Sequence, residues 1–289
     1  MDRRHHHPPI GLEAARVADE QLERALSELH RADTSRGDTV HEARRHIRKV
    51  RALLLLLRPR LTDEAYLEAN RRLRALNRRL APIATAPTVL GTLTRLSGRV
   101  DAKEARAAIE AVKAALVHRA ERAERTAASV RLLKRAETTL AVERARIGTW
   151  EIEKQRLPIA AGLESSRRQA AKAMIRAAAR PGAGRDRTWR RSTTRLWLHV
   201  RLLEPYRREL RDVRRRLDAL DRCLDESHNV LVLERMLVTE GLVSRRDTAA
   251  ALRLLRHYQS ELRALAVVRG RKALRPARRR DRSHAGRLS

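Results

Sequence analysis

The sequence predicts an all-α fold, and three features lead to this prediction. Apolar residues recur at the three- and four-residue spacing of an amphipathic helix, most clearly in the series that contains Val40, Ile47 and Leu54. Ala, Leu, Arg and Glu, which are good helix formers, dominate the composition. β-branched residues never alternate with polar residues over the length of a strand. The 289 residues, 42% of them hydrophobic, are enough to bury a core.

Prolines, glycines and capping residues divide the sequence into successive helices. In the first half we expect helices from Leu12 to Arg31, Val40 to Leu57, Thr62 to Leu80 and Val89 to Leu96, then one or two long helices between Asp101 and Gln155. In the second half we expect helices from Leu163 to Ala179, Thr188 to Leu203, Tyr206 to Leu224, Val230 to Glu240 and Arg246 to Val268. Pro82 and Pro87 are expected to interrupt the chain before Val89.

The charge balance favours a polyanionic partner. Lys and Arg number 66 against 35 Asp and Glu, which gives a formal net charge of +31 with His neutral. Nucleic acid, an acidic membrane surface or a phosphate polymer would neutralise such a charge. With no Phe, three Trp and three Tyr, the chain has few aromatic side chains on which nucleic-acid bases could stack.

Two further features limit the class of protein. No run of 18 apolar residues is present, so we expect no membrane span. The single cysteine, Cys223, excludes a disulfide within the chain, and we expect it to be a small buried side chain.

The two halves of the chain contain an internal repeat, which a shift of 146 residues reveals. The shift aligns His41 with Arg187, Arg44 with Arg190, Arg45 with Arg191, Lys49 with Arg195, Leu54 with Val200, Leu57 with Leu203, and Pro59 with Pro205. Each repeat therefore combines a basic N-terminal face, an apolar seam and a terminal proline. We expect two related helical bundles.

Four segments resemble the CHAD family, the conserved histidine α-helical domain. The first is VHEARRHIRKVR at residues 40–51, which is similar to the family signature. Residues 189–191 and 196–205 are similar to its counterpart in the second half, and residues 224–233 resemble the family's histidine-acid motif. The resemblance covers residues 12–268.

This resemblance implies two pseudo-twofold-related antiparallel four-helix bundles around a basic central groove or pore. It also implies non-catalytic binding of inorganic polyphosphate, as in phosins, which attach to polyphosphate granules. The expected organisation is a flexible N-terminus at 1–11, a first bundle at 12–156, a second bundle at 157–268 and a basic disordered tail at 269–289. The expected location is the cytoplasm, on polyphosphate granules or the nucleoid.

The sequence departs from the family pattern at four places. Arg187 stands where the family has His, Thr194 where it has Lys, Ala84-Thr85 where it has Arg-Asp, and Asn229 where it has Asp. Arg187 keeps a positive charge at its position, whereas Thr194 lacks the ammonium group through which a lysine would contact an anion. The loss of the Arg-Asp pair is expected to change bundle packing more than charge.

Two basic stripes contain the candidate polyphosphate-binding residues, because residues three and four apart share a helix face and guanidinium groups bind phosphate oxygens in pairs. The first comprises His41, Arg44, Arg45, Arg48, Lys49 and Arg51, and the second comprises Arg187, Arg190, Arg191 and Arg195. Further candidates are His228 and, as supporting residues, Arg71, Arg74, Arg78, Arg208, Arg211 and Arg215. A solvated charged face is the alternative interpretation of each stripe. His46 and His199 are expected at the surface.

No catalytic motif accompanies these stripes. The sequence lacks a Walker loop, an HExxH motif and a nucleophile elbow, and no carboxylates are grouped near the stripes to hold a metal for phosphoryl transfer. We therefore expect a binding protein without a cofactor. Two alternatives stay open: a non-specific nucleic-acid-binding protein of the nucleoid type, favoured by the basic tail, and a metal-dependent polyphosphate hydrolase.

Overall fold

The computed structural model describes residues 10–31, 36–57, 63–124, 126–148 and 159–275, whose regular secondary structure is entirely helical. The helices are α1 (Ile10–His30), α2 (Arg36–Leu57), α3 (Asp63–Arg79), α4 (Ala81–Ser97), α5 (Lys103–Glu124), α6 (Ala127–Ile147), α7 (Ile159–Ala179), α8 (Ala183–Leu203), α9 (Leu210–Glu240) and α10 (Arg245–Ala273), with a short 3₁₀-helix at Glu204–Tyr206. The all-α prediction is confirmed. None of the described helices is both long and apolar enough to span a membrane.

The described residues form two units. The first contains α1 to α6 together with residues 228–259, and the second contains residues 164–227 together with residues from 260 onward. Residues 228–259 therefore belong with the first unit, although they follow residues of the second unit in the sequence. Residues 1–9 of the expected N-terminus, Pro59 at the end of the first repeat and residues 276–289 of the expected tail lie outside the described residues.

In the first unit, α2 contacts α1, α3, α4 and α5. The apolar series predicted to form its packing seam is fully buried: Val40, Ala43, Ile47, Val50, Leu54 and Leu57 are each 0% exposed. Because these residues recur every three or four positions, they lie on one side of α2 and fix the side on which its basic residues must lie.

The second unit buries the same repeat positions of α8. Trp189, Thr193, Leu196, Val200 and Leu203 are buried, and each is 146 residues from a buried residue of α2. The indole of Trp189 occupies the position of the much smaller Ala43. Gly270 of α10 leaves space beside the indole, since a Cβ added at Gly270 would lie 2.5 Å from Sδ of Met174 and 3.1 Å from Cζ2 of Trp189.

The connection expected between Leu80 and Val89 was wrong, because α4 already begins at Ala81. Pro82 lies in the first turn of α4, where a missing N–H costs little, and Pro87 lies within the same helix. Ile83 and Ala84 before Pro87, and Val89 after it, are buried, so tertiary packing stabilises α4 across this proline.

The break expected between two helices after Leu224 is also absent, and α9 is continuous from Leu210 to Glu240. Its buried side continues through Leu224, Ser227 and Val230, and no proline or glycine lies between them. At the end of the chain, α10 extends to Ala273. Residues 269–273, expected in a disordered tail, are therefore helical.

Cys223 is buried on α9, as predicted. Its Sγ lies 3.3 Å from the carbonyl oxygen of Leu262, to which the thiol donates a hydrogen bond. Burial raises the pKa of the Cys223 thiol. The thiol is therefore held in its protonated form.

The seam of α2 predicts a large effect of truncating Leu54. Leu54→Ala should lower the free energy of unfolding by about 2–5 kcal/mol, because it leaves a cavity in place of a fully buried side chain. The control is Leu67→Ala on α3, whose side chain is 57% exposed and should change stability by less than about 0.5 kcal/mol. Urea unfolding followed by circular dichroism measures both. Equal midpoints for the two variants would contradict the assigned core.

Candidate polyanion-binding surface

The first basic face is formed by the α2 residues His41, Arg44, Arg45, Arg48, Lys49 and Arg51, all of which are half-buried. They lie beside the buried seam, so their stems pack against apolar neighbours while their polar ends reach the surface. The structure therefore places the six predicted residues of this stripe on one helix at the edge of the core.

Two arginines of the first basic face contact amides of α3. The Nε of Arg44 donates to the carbonyl oxygen of Asn77 at 3.1 Å and to its Oδ1 at 3.3 Å. Two turns later, the Nε of Arg51 donates to Oδ1 of Asn70 at 3.0 Å. Because Arg44 contacts Asn77 while Arg51 contacts Asn70, the helices run antiparallel. The amides orient the guanidinium groups and add no negative charge of their own.

Arg45 and Lys49 lie next to other polar groups of the same helix. Arg45 forms an ion pair with Glu42 at 3.1 Å, and its Nε is buried without a hydrogen-bond partner among the described residues. A buried N–H without an acceptor is uncommon, because desolvating it costs free energy. The Nζ of Lys49 lies 3.5 Å from Nδ1 of His46.

His41 is oriented by α4. Its Nδ1 lies 3.0 Å from the hydroxyl of Thr88, which donates its only hydrogen to the carbonyl oxygen of Ala84 at 2.9 Å. The hydroxyl of Thr88 therefore links the imidazole of His41 to the backbone of α4, which fixes the orientation of the ring.

The second basic face is formed by the α8 residues Arg187, Arg190, Arg191 and Arg195. Arg187 and Arg191 are exposed, whereas Arg190 and Arg195 are half-buried. Arg190 forms an ion pair with Asp225 of α9, and Arg195 donates to Oε1 of Gln169 at 3.0 Å. Of these four arginines, Arg190 is therefore already paired with a carboxylate of its own unit.

Two further side chains of α8 also contact carboxylates of α9. Thr194 donates its hydroxyl to Asp221 at 2.7 Å. Trp197 donates its indole N–H to Asp218. Three contacts between α8 and α9 thus end on aspartates, whereas the two corresponding contacts of α2 end on asparagines.

The supporting arginines lie at the surface. Arg71, Arg74 and Arg78 of α3, Arg211 and Arg215 of α9, and Arg208 before α9 are all exposed. Asp212 pairs with Arg215, which holds the pKa of the Asp212 carboxyl below its ordinary value. Arg72, in the same run of α3, instead pairs with Glu68 and with the buried carboxylate of Glu143. Its role is therefore structural.

Two histidines expected at the surface are buried, so that expectation was wrong. His46 is buried next to Gln21, whose Oε1 lies 2.9 Å from Nδ1 of the imidazole. His199 lies 2.9 Å from the hydroxyl of Ser166. Each imidazole replaces its lost water contacts with a hydrogen bond, which allows it to enter the core. His228, a candidate ligand, is half-buried on α9.

Asn70 and Asn77 are the polar residues of this site that sequence reasoning missed. A signal for them exists, because they are seven residues apart, as are Arg44 and Arg51. Residues seven apart lie two turns along the same helix face. Among the described residues, no three His, Cys, Asp or Glu side chains are grouped so that they could hold a metal ion.

Comparisons with known proteins agree with this architecture. PptA from Streptomyces chartreusis is a solved structure with a TM-score of 0.56 and 17% sequence identity, and the match covers 92% of this chain and 99% of PptA. At this level of identity the likeness shows a shared fold alone. No curated protein matches the sequence significantly. The profile of the CHAD domain family matches residues 16–238, which is more than half of the chain. The protein therefore belongs to the CHAD domain family.

Proposed function

We propose that the protein binds inorganic polyphosphate without hydrolysing it, and that the two basic faces are its ligand-binding residues. The observation that carries this proposal is the first basic face, where Arg44 and Arg51 are oriented by neutral amides. A guanidinium held in place by an amide keeps its charge and has less conformational freedom to lose when it binds a phosphate. Membership of the CHAD family supports polyphosphate as the polyanion.

The arrangement of the ligand-binding faces is part of the same proposal. In it, the chain forms two four-helix bundles that line a basic groove or pore, and the polymer lies along that groove. A polymer with a charge on every phosphate suits a row of guanidinium groups, because each arginine can donate two hydrogen bonds to one phosphate. Association with polyphosphate granules would follow from such binding.

The surroundings of the aromatic residues favour polyphosphate over single-stranded nucleic acid. Trp189, Tyr66 and Tyr258 are buried. The half-buried Trp197 donates to Asp218, and Arg201 lies over its ring with a distance of 5.3 Å to the centroid. Base stacking needs exposed aromatic faces, so these four side chains are poorly suited to it. Non-specific binding to the nucleic-acid backbone is the second candidate, supported by the net charge of +31.

A competition titration tests the proposed ligand. Labelled long-chain polyphosphate, bound to the full chain at about 150 mM salt, is displaced by unlabelled polyphosphate, duplex DNA or single-stranded RNA at matched phosphate concentration. We expect only polyphosphate to compete well. Equal competition by DNA would instead favour a general polyanion-binding protein. Release of orthophosphate in the presence of Mg²⁺ or Mn²⁺ would favour a hydrolase.

A charge-removing variant tests the first basic face. Arg44→Gln with Arg48→Gln should weaken polyphosphate binding by about tenfold or more, since two phosphate contacts are lost. Arg131→Gln with Arg135→Gln is the matched control, because both arginines are exposed on α6 and outside the predicted site. Fluorescence anisotropy gives the affinities, and circular dichroism verifies the fold. The assignment of this face fails if the two double variants lose the same affinity.

The dependence of affinity on salt tests the electrostatic nature of binding. Counter-ions released from the polymer should make the affinity for polyphosphate fall by about 100-fold or more between about 50 and about 200 mM NaCl. The slope of log affinity against log salt should be smaller for the Arg44→Gln/Arg48→Gln variant than for the wild type. An affinity that does not change with salt would show that charge does not determine binding.

A further inference from the structure

The two repeats have opposite charge on their second helices. Residues 69–79 of α3 contain five arginines and no acidic residue. Residues 217–227 of α9, which occupy the corresponding part of the second repeat, contain four acidic residues and one arginine. The first helices, α2 and α8, are both basic, so the difference arises on the second helix of each pair.

The correspondence between these segments rests on contacts made separately in each unit. Arg44 contacts Asn77 in the first unit, and Arg190 contacts Asp225 in the second. Likewise, Arg51 contacts Asn70 in the first unit, and Trp197 contacts Asp218 in the second. In both cases the residues of the first helix differ by 146 positions and those of the second helix by 148. Equivalent positions therefore hold an amide in one repeat and a carboxylate in the other.

This exchange changes what an arginine can offer a polyanion. Asp225 neutralises the guanidinium of Arg190, whose side chain is only 19% exposed, so a phosphate must compete with a carboxylate that is already bound. Asp218 and Asp221 add like charge nearby, which raises the cost of bringing a polyanion to this helix pair. An amide neither neutralises the arginine nor repels a phosphate.

We propose that α2 and α3 supply most of the affinity for the polyanion, and that the side chains at positions 77 and 225 determine this unequal division. Asn70 and Asn77 act as positioning residues that orient Arg44 and Arg51 and add no negative charge beside them. The exposed arginines Arg71, Arg74 and Arg78 add positive charge to the same helix as Asn70 and Asn77. In the second repeat, Asp225 of α9 pairs with Arg190, so this arginine mainly stabilises its own unit. This inference rests on the proposed polyphosphate binding.

Two isosteric substitutions test the proposal. Asn77→Asp places a carboxylate against Arg44 and should weaken the binding of long-chain polyphosphate by about fivefold, since it reproduces the contact between Arg190 and Asp225. Asp225→Asn should strengthen binding by about twofold to threefold, because it restores the charge of Arg190. Thr138→Asp is the charge-matched control for Asn77→Asp, since Thr138 is exposed on α6 of the same unit. Isothermal titration of the full chain at fixed salt measures all three.

The outcomes separate this inference from the proposed function. If the wild type binds polyphosphate and Asn77→Asp loses no more affinity than Thr138→Asp, the unequal division is refuted while polyphosphate binding stands. An Asp225→Asn protein that binds no more tightly than the wild type would refute it too. If the wild type does not bind polyphosphate at all, both proposals fail. Thermal unfolding of each variant verifies that a lost affinity is not a lost fold.

Discussion

The burial of one side of α2 is the constraint on which the first unit depends. α2 contacts four helices and its seam is fully buried, and this packing fixes the rotation of α2 about its axis. The arginines beside the seam are therefore held at the edge of the core, where α3 can present Asn70 and Asn77 to them. A helix that displayed the same arginines on a fully solvated face would lose more side-chain entropy on binding an anion.

The second unit also holds its basic helix by burying one side of it, but with different side chains. Trp189 fills the position of Ala43, and Gly270 accommodates the indole. Its basic helix is held to α9 by aspartates, so part of its positive charge stabilises the unit internally. Arg72 and Glu143 show the same effect in the first unit. Each such pair contributes no net charge, so the number of 66 Lys and Arg residues overstates the cations that are available to a ligand.

Features that depend on local pattern were predictable from the sequence. The seam of α2, the repeat and the basic stripes follow from spacing alone, because helical periodicity determines which residues share a face. Features that depend on a partner far away in the sequence were not predictable. The continuity of α4 through Pro87 requires burial on both sides of the proline, and the burial of His46 requires Gln21 from another helix. The roles of Asn70 and Asp225 require knowing which helices are paired.

Cys223 makes the molecule convenient for spectroscopy. Maleimides react with thiolates, and a buried thiol with a raised pKa forms few of them. A second cysteine placed on an exposed site, such as that of Arg78 on α3, would react selectively while the native thiol stayed in place. A fluorophore attached there would report the approach of a polymer to one chosen helix. The chain therefore needs no prior removal of its own cysteine for single-site labelling.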